Sequence, residues 1–133
     1  MKKTILLRLT IALSILLSAC ELNRVKFGEV RMMYGTNEEG RISYDISTFT
    51  GVERGQLQAQ TGQTILFTYE VVLDAGSLVI EWQDPQGEVV WRKNLLEGDH
   101  GDDEIEIDSP GRFTIFIQGS GVRGNFDVSW QVK

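Results

Sequence analysis

The stretch T64-I-L-F-T-Y-E-V-V-L-D-A-G-S-L-V-I-E-W82 decides the fold class. In its first half, Ile65, Phe67, Tyr69 and Val71 occupy every second position. In its second half, Leu78, Ile80 and Trp82 do the same. A period of two puts alternate side chains on opposite faces of a β-strand, and a helix would need a period near 3.6. Between the halves lies D74-A-G-S77, a run of turn-forming residues. The expectation is two strands joined by a turn.

The same period recurs outward from this stretch. Ile42, Tyr44 and Ile46 alternate with polar neighbours, as do Ile105 and Ile107 in D-E-I-E-I-D. R-F-T-I-F-I brings Phe113, Ile115 and Ile117; N-F-D-V-S-W-Q-V brings Phe126, Val128, Trp130 and Val132. Less regular runs lie near Val25–Tyr34, at 55–60, and at Val89 and Trp91. Turn signals fall at 61–63, 84–87 (D-P-Q-G), 108–111 (D-S-P-G) and 119–124 (G-S-G-V-R-G), the last expected to join the final two strands. Short strands at this spacing predict an all-β domain. The specific expectation is an antiparallel two-sheet, jelly-roll-like β-sandwich of eight or nine strands over residues 25–133.

The N-terminus has another character. Lys2, Lys3 and Arg8 precede an apolar run, Leu9 to Leu17, and the small residues Ser18 and Ala19 follow. That order is a helical secretory signal peptide, too short to span a bilayer. Leu17-Ser18-Ala19-Cys20 resembles the lipobox of bacterial lipoproteins, and Cys20 is the single cysteine of the chain. The resemblance implies cleavage after residue 19 and a diacylglyceryl group on Cys20. Two acyl chains hold a protein stably where one does not. Residues 20–24 then form a short tether, and the domain sits close to the extracytoplasmic face of a cell membrane. With no second thiol there is no internal disulfide, so the core alone must hold the fold.

The whole chain has 13 Lys and Arg against 19 Asp and Glu. Without the three cations of the signal, ten face nineteen, a net charge of −9. That balance argues against nucleic acid and anionic lipid head groups as partners. An envelope protein or a wall polymer fits better.

Residues 62–132 also resemble small bacterial β-sandwich modules, the domains found beside secreted peptidases and the jelly-roll type called GOLD. The resemblance rests on S-L-V-I-E-W-Q-D-P-Q-G-E-V-V-W and S-P-G-R-F-T-I-F-I-Q-G-S-G-V-R-G-N-F-D-V-S-W. It implies a fold and no functional residue.

Few residues point to chemistry. G119-S-G-V-R-G124 matches the dinucleotide fingerprint, but a strand pattern follows it where a helix is required. His100 is the only histidine, no G-x-S-x-G elbow is present, and zinc would need more nitrogen or sulfur ligands than the chain has. The sequence therefore predicts no enzyme. The acidic segment 97–108 is the strongest candidate loop. Glu97, Asp99, Asp102, Asp103 and Glu104 could supply oxygens to calcium, although their spacing departs from the EF-hand. The other reading is a solvated loop whose charges discourage edge-to-edge association. No other cofactor is implied. Trp82 and Trp130 are expected in the core; Trp91 and Tyr34, with Phe49 behind them, are candidates for an exposed ligand-binding platform. Two functions stand: a non-catalytic binding or interaction module, and a carbohydrate- or calcium-binding module for adhesion or display.

Replacing the thiol tests the anchor. Cys20→Ala is expected to abolish incorporation of labelled fatty acid and to release or mis-process the protein; normal labelling would refute lipidation at Cys20.

Overall fold

The computed structural model describes residues 29–133. The signal peptide, Cys20 and the tether through residue 24 lie outside them. The described chain is all-β: β1 (Val30–Glu38), β2 (Arg41–Ala59), β3 (Thr64–Gln83), β4 (Val89–Leu95), β5 (His100–Glu106) and β6 (Gly111–Val132). They form one antiparallel sheet in the order β1-β2-β6-β3-β4, with β5 also on β3.

The expected eight or nine strands in two sheets are therefore six strands in one. Three of them are long: β2 has 19 residues, β3 has 20 and β6 has 22. β3 and β6 each run through a segment that the sequence marks as a turn, and β2 joins two runs that it reads as separate. D74-A-G-S77 does not reverse β3, and G119-S-G-V-R-G124 does not join two strands. Both segments hold irregularities that let a strand bend without stopping. In β3 the register shifts between Leu73 and Ala75 and again between Ala75 and Ser77. β2 shifts between Ile46 and Phe49 and between Phe49 and Gly51. Extra residues kink a strand and move its side chains to the other phase. The buried positions record this: Ile65 to Leu73 are odd-numbered, then Leu78, Ile80 and Trp82 are even. In β6, Phe113, Ile115 and Ile117 give way to Val122, Phe126, Val128 and Trp130.

The bends fold the sheet over on itself. Phe67 and Trp82 lie 15 positions apart on β3, about 50 Å if the strand were straight. Their ring centroids are 5.8 Å apart. Trp130 meets Trp82 edge-on, also at 5.8 Å. One half of the sheet thus contains β1, the start of β2, the end of β6, the start of β3, and β5. The facing half contains the rest of β2, β6 and β3, with β4. The inner surfaces of the halves make one core, in which Trp82 is fully buried as expected and Trp130 nearly so. At Gly55, a Cβ would lie 2.4 Å from the Trp130 ring, so the two halves approach here only because the side chain is missing.

Side chains close the two open sides of the sandwich. On one side, the Arg31 guanidinium donates to the Val52 carbonyl at 2.8 Å and pairs with Glu53. Asn37 Nδ2 donates to Glu53 Oε2 and to the Arg54 carbonyl, each at 3.0 Å. The buried Glu53 carboxylate thereby receives both a charge and an amide, as burial requires. On the other side, Trp91 Nε1 donates to Asp103 Oδ2 at 2.7 Å, and Lys93 Nζ donates to the Tyr69 hydroxyl at 2.8 Å. The Tyr69 hydroxyl is also the main cause of the raised pKa of Lys93.

Two glycines separate bend from turn. Gly76 has φ 81°, and a Cβ there would lie 2.3 Å from the Gly121 carbonyl oxygen; Gly62 has φ 87° with nothing within 4 Å. Gly62→Ala is expected to cost only the left-handed backbone, about 1–2 kcal/mol. Gly76→Ala adds a collision with backbone and should cost clearly more, about 3 kcal/mol or above. Urea unfolding of both variants measures the difference; equal losses would mean that the bend tolerates a side chain.

Candidate functional site

The outward face of the five-strand half is the candidate site. Register places its side chains in rows across the strands. The first row is Tyr34, Asp45, Asn125 and Val72. The second is Thr36, Ser43, Asp127, Glu70 and His100. The third is Glu38, Arg41, Ser129, Thr68 and Asp102. Beyond it, Leu66 stands between Gln131 and Glu104. Alternation makes this face polar, because the intervening residues fill the core.

Three depressions lie across the rows. One of about 650 Å³ is lined by Leu66, Thr68, Asp102, Glu104, Ser129 and Gln131 among others. A second, about 440 Å³, includes Tyr34, Arg41, Ser43, Glu70 and Asp127. A third, about 580 Å³, lies around Met32, Tyr34, Asp45 and Asp74. The second and third share Tyr34, Asp45 and Asn125, so they are continuous.

The polar groups are partly tied together. Thr68 Oγ1 and Ser129 Oγ are 2.8 Å apart. Arg41 pairs with Asp127, Nε donating to Oδ1 at 3.1 Å, and Ser43 Oγ donates to Asp127 Oδ2 at 3.2 Å. The hydrogen bond to Asp127, and then its charge, raises the Arg41 pKa. Glu70 sits directly opposite Asp127 across β3 and β6. Like charges so placed are destabilising, and Arg41 and the Ser43 hydroxyl offset this on the Asp127 side.

The opposite outward face differs. There Arg92 pairs with Glu81 at 3.2 Å, Gln83 donates to Glu81 at 2.7 Å, and Arg54 lies over the Phe116 ring at 5.3 Å. Arg112 also projects there, opposite Gln58, so the paired strands of this face carry three arginines to one carboxylate.

The residues singled out in the sequence fall in several places. The acidic segment is a tight turn followed by a strand rather than one loop. Glu97 is exposed in the turn. Asp99 closes it, its Oδ2 accepting the Leu96 N–H at 2.7 Å. Asp102 and Glu104 point outward on β5. Asp103 points the other way, accepting Trp91 Nε1 on one oxygen and the Glu104 N–H, at 2.9 Å, on the other. Among the described residues, no three acidic or histidine side chains converge on a metal-sized point. His100 is exposed, its Nδ1 3.3 Å from the Gly98 carbonyl.

Of the candidate platform residues, Tyr34 is 85% exposed and lies on the outward face. Trp91 is half-buried between the sheet halves, 4.8 Å from Phe67 and 6.1 Å from Tyr69 by ring centroids. Phe49, expected near the surface, is fully buried. It follows the β2 register shift, which moves it from the outer phase to the inner. Glu70, Asp127, Arg41, Thr68 and Ser129 were not singled out by sequence. The available signal was the charged outward phase of strands read only for their inward phase.

No protein-family model matches the chain, and no curated protein matches it. Among solved structures, it is similar to PliG of Aeromonas hydrophila, a periplasmic inhibitor of g-type lysozyme: 18% identity, TM-score 0.44, 83% of this chain and 93% of that one. It is also similar to a structure described as CBM4, at 10% identity and TM-score 0.47, over 80% of this chain and 79% of the other. A third is the pre-peptidase C-terminal domain of a collagenase from Bacillus anthracis, at 11% identity and TM-score 0.42, over 74% and 100%.

Trp91→Phe keeps the ring between the halves and removes its N–H. The expected effect is a loss of about 1 kcal/mol in urea unfolding, as for one hydrogen bond. A loss near zero would mean that the bond to Asp103 adds nothing to closure.

Proposed function

We propose that this protein is a non-catalytic binding module, held on the extracytoplasmic face of a membrane by a diacylglyceryl group on Cys20, and that it binds through the outward face of its five-strand half. The observation that carries this reading is that face: depressions run across it, and its polar side chains are not consumed by the core. The anchor is supported by the signal-like N-terminus and by the lipobox resemblance at Cys20. Among the described residues, no helix is long and apolar enough to cross a membrane. A non-catalytic role is supported by the openness of the face and by the position of the single histidine, whose near neighbour is a turn carbonyl. Catalysis by histidine would need a reacting group positioned against the ring.

Photo-cross-linking in cells tests the face. A benzoyl-phenylalanine placed at Tyr34 or Thr68 is expected to give a discrete cross-linked product. The same residue at Gln56, outward on the opposite half, should give none. Equal products from both faces, or none from 34 and 68, would refute this binding surface.

A further inference from the structure

Given that binding face, we infer that its partner is a cationic protein surface. The inference rests on the proposed function and names the chemistry of what the face receives. Glu38, Asp45, Glu70, Asp102, Glu104, Glu106 and Asp127 all project from it, against two cations on the same phase, Arg41 and, across Thr64 from Glu106, Lys133. Asp127 engages the Arg41 guanidinium. The other carboxylates remain on an open sheet face, with Glu70 held opposite Asp127.

Charge complementarity selects among partners. Anionic polymers and anionic lipid head groups are repelled. A neutral glycan is recognised largely by stacking on aromatic rings, and Tyr34 is the one aromatic ring in these rows. Lysine and arginine side chains fit on both counts. Outward carboxylates on one strand repeat about every 7 Å, a spacing that side chains of a polypeptide can match. Hydroxyls at Ser43, Thr68 and Ser129 add acceptors for ammonium or guanidinium protons. The surface is also broad: five strands about 4.8 Å apart span roughly 19 Å, which suits a protein patch.

The test uses the full lipidated chain in phosphatidylcholine vesicles and octalysine as the probe. Glu70→Gln, Asp102→Asn and Glu104→Gln together neutralise the face at exposed positions. Glu88→Gln, Glu97→Gln and Asp108→Asn change net charge equally but lie off it. The face variant is expected to bind octalysine at least about tenfold more weakly than wild type, and the control within about twofold. Raising salt should weaken wild-type binding most. Equal weakening in both variants, or no binding to wild type, would overturn the inference. The cross-links from residues 34 and 68 separate the two readings. If they persist undiminished in the face variant, binding through the face stands and the cationic partner falls. If wild type gives none, both fall.

Discussion

The structure depends on three strands that change phase without ending. An extra residue in a paired strand moves every later side chain to the opposite face. In a flat sheet this would expose half the core. Here the strand also bends at the same point, so the face that was outward in phase becomes inward in space. Phase shift and bend must occur together, and β2, β3 and β6 make both at neighbouring places. Glycines allow it. Gly76, Gly121 and Gly124 have positive φ, and at Gly76 and Gly124 a Cβ would strike the backbone of the adjacent strand. The crowded corner is what lets one sheet serve as both layers of a sandwich.

Folding one sheet over leaves two long open sides, and each is closed differently. The β1 side uses a buried carboxylate, with Arg31 and Asn37 also satisfying the carbonyls that the second half of β2 turns outward. The β4–β5 side uses aromatic packing, with Trp91 against Phe67 and Tyr69 and its N–H on Asp103. Asp103 also accepts the Glu104 N–H, so it blunts the β5 edge. Edges left bare pair with other chains, and these side chains occupy the groups that would do so.

Much of this was legible in the sequence. Alternation correctly placed Ile42, Phe67, Trp82, Phe113 and Trp130 inside. It even showed the phase change, odd positions before D74-A-G-S77 and even positions after. What it lacked was the means to tell a reversal from a bend, because turn and bulge draw on the same residues: glycine, aspartate and serine. The strand count was wrong for that reason, and Phe49 was misplaced by the same kind of shift in β2. The acidic segment was misread because composition alone does not separate a loop from a charged edge strand. The candidate face needed register: Glu70 and Asp127 are 57 positions apart, and nothing local to either indicates the other.

The two outward faces obey the same alternation, and they use it differently. On the four-strand half the one carboxylate, Glu81, is paired with Arg92, and Arg54 covers Phe116. Stability alone would favour pairing each carboxylate on the other half as well. There, carboxylates accumulate and one pair stands directly opposed. Local rules broken where a simple substitution would satisfy them point to use rather than to folding. On the five-strand face Asp127 is paired with Arg41, while Glu70, Asp102 and Glu104 project without an ion pair from the described residues, which is the charge the inferred cationic partner would answer.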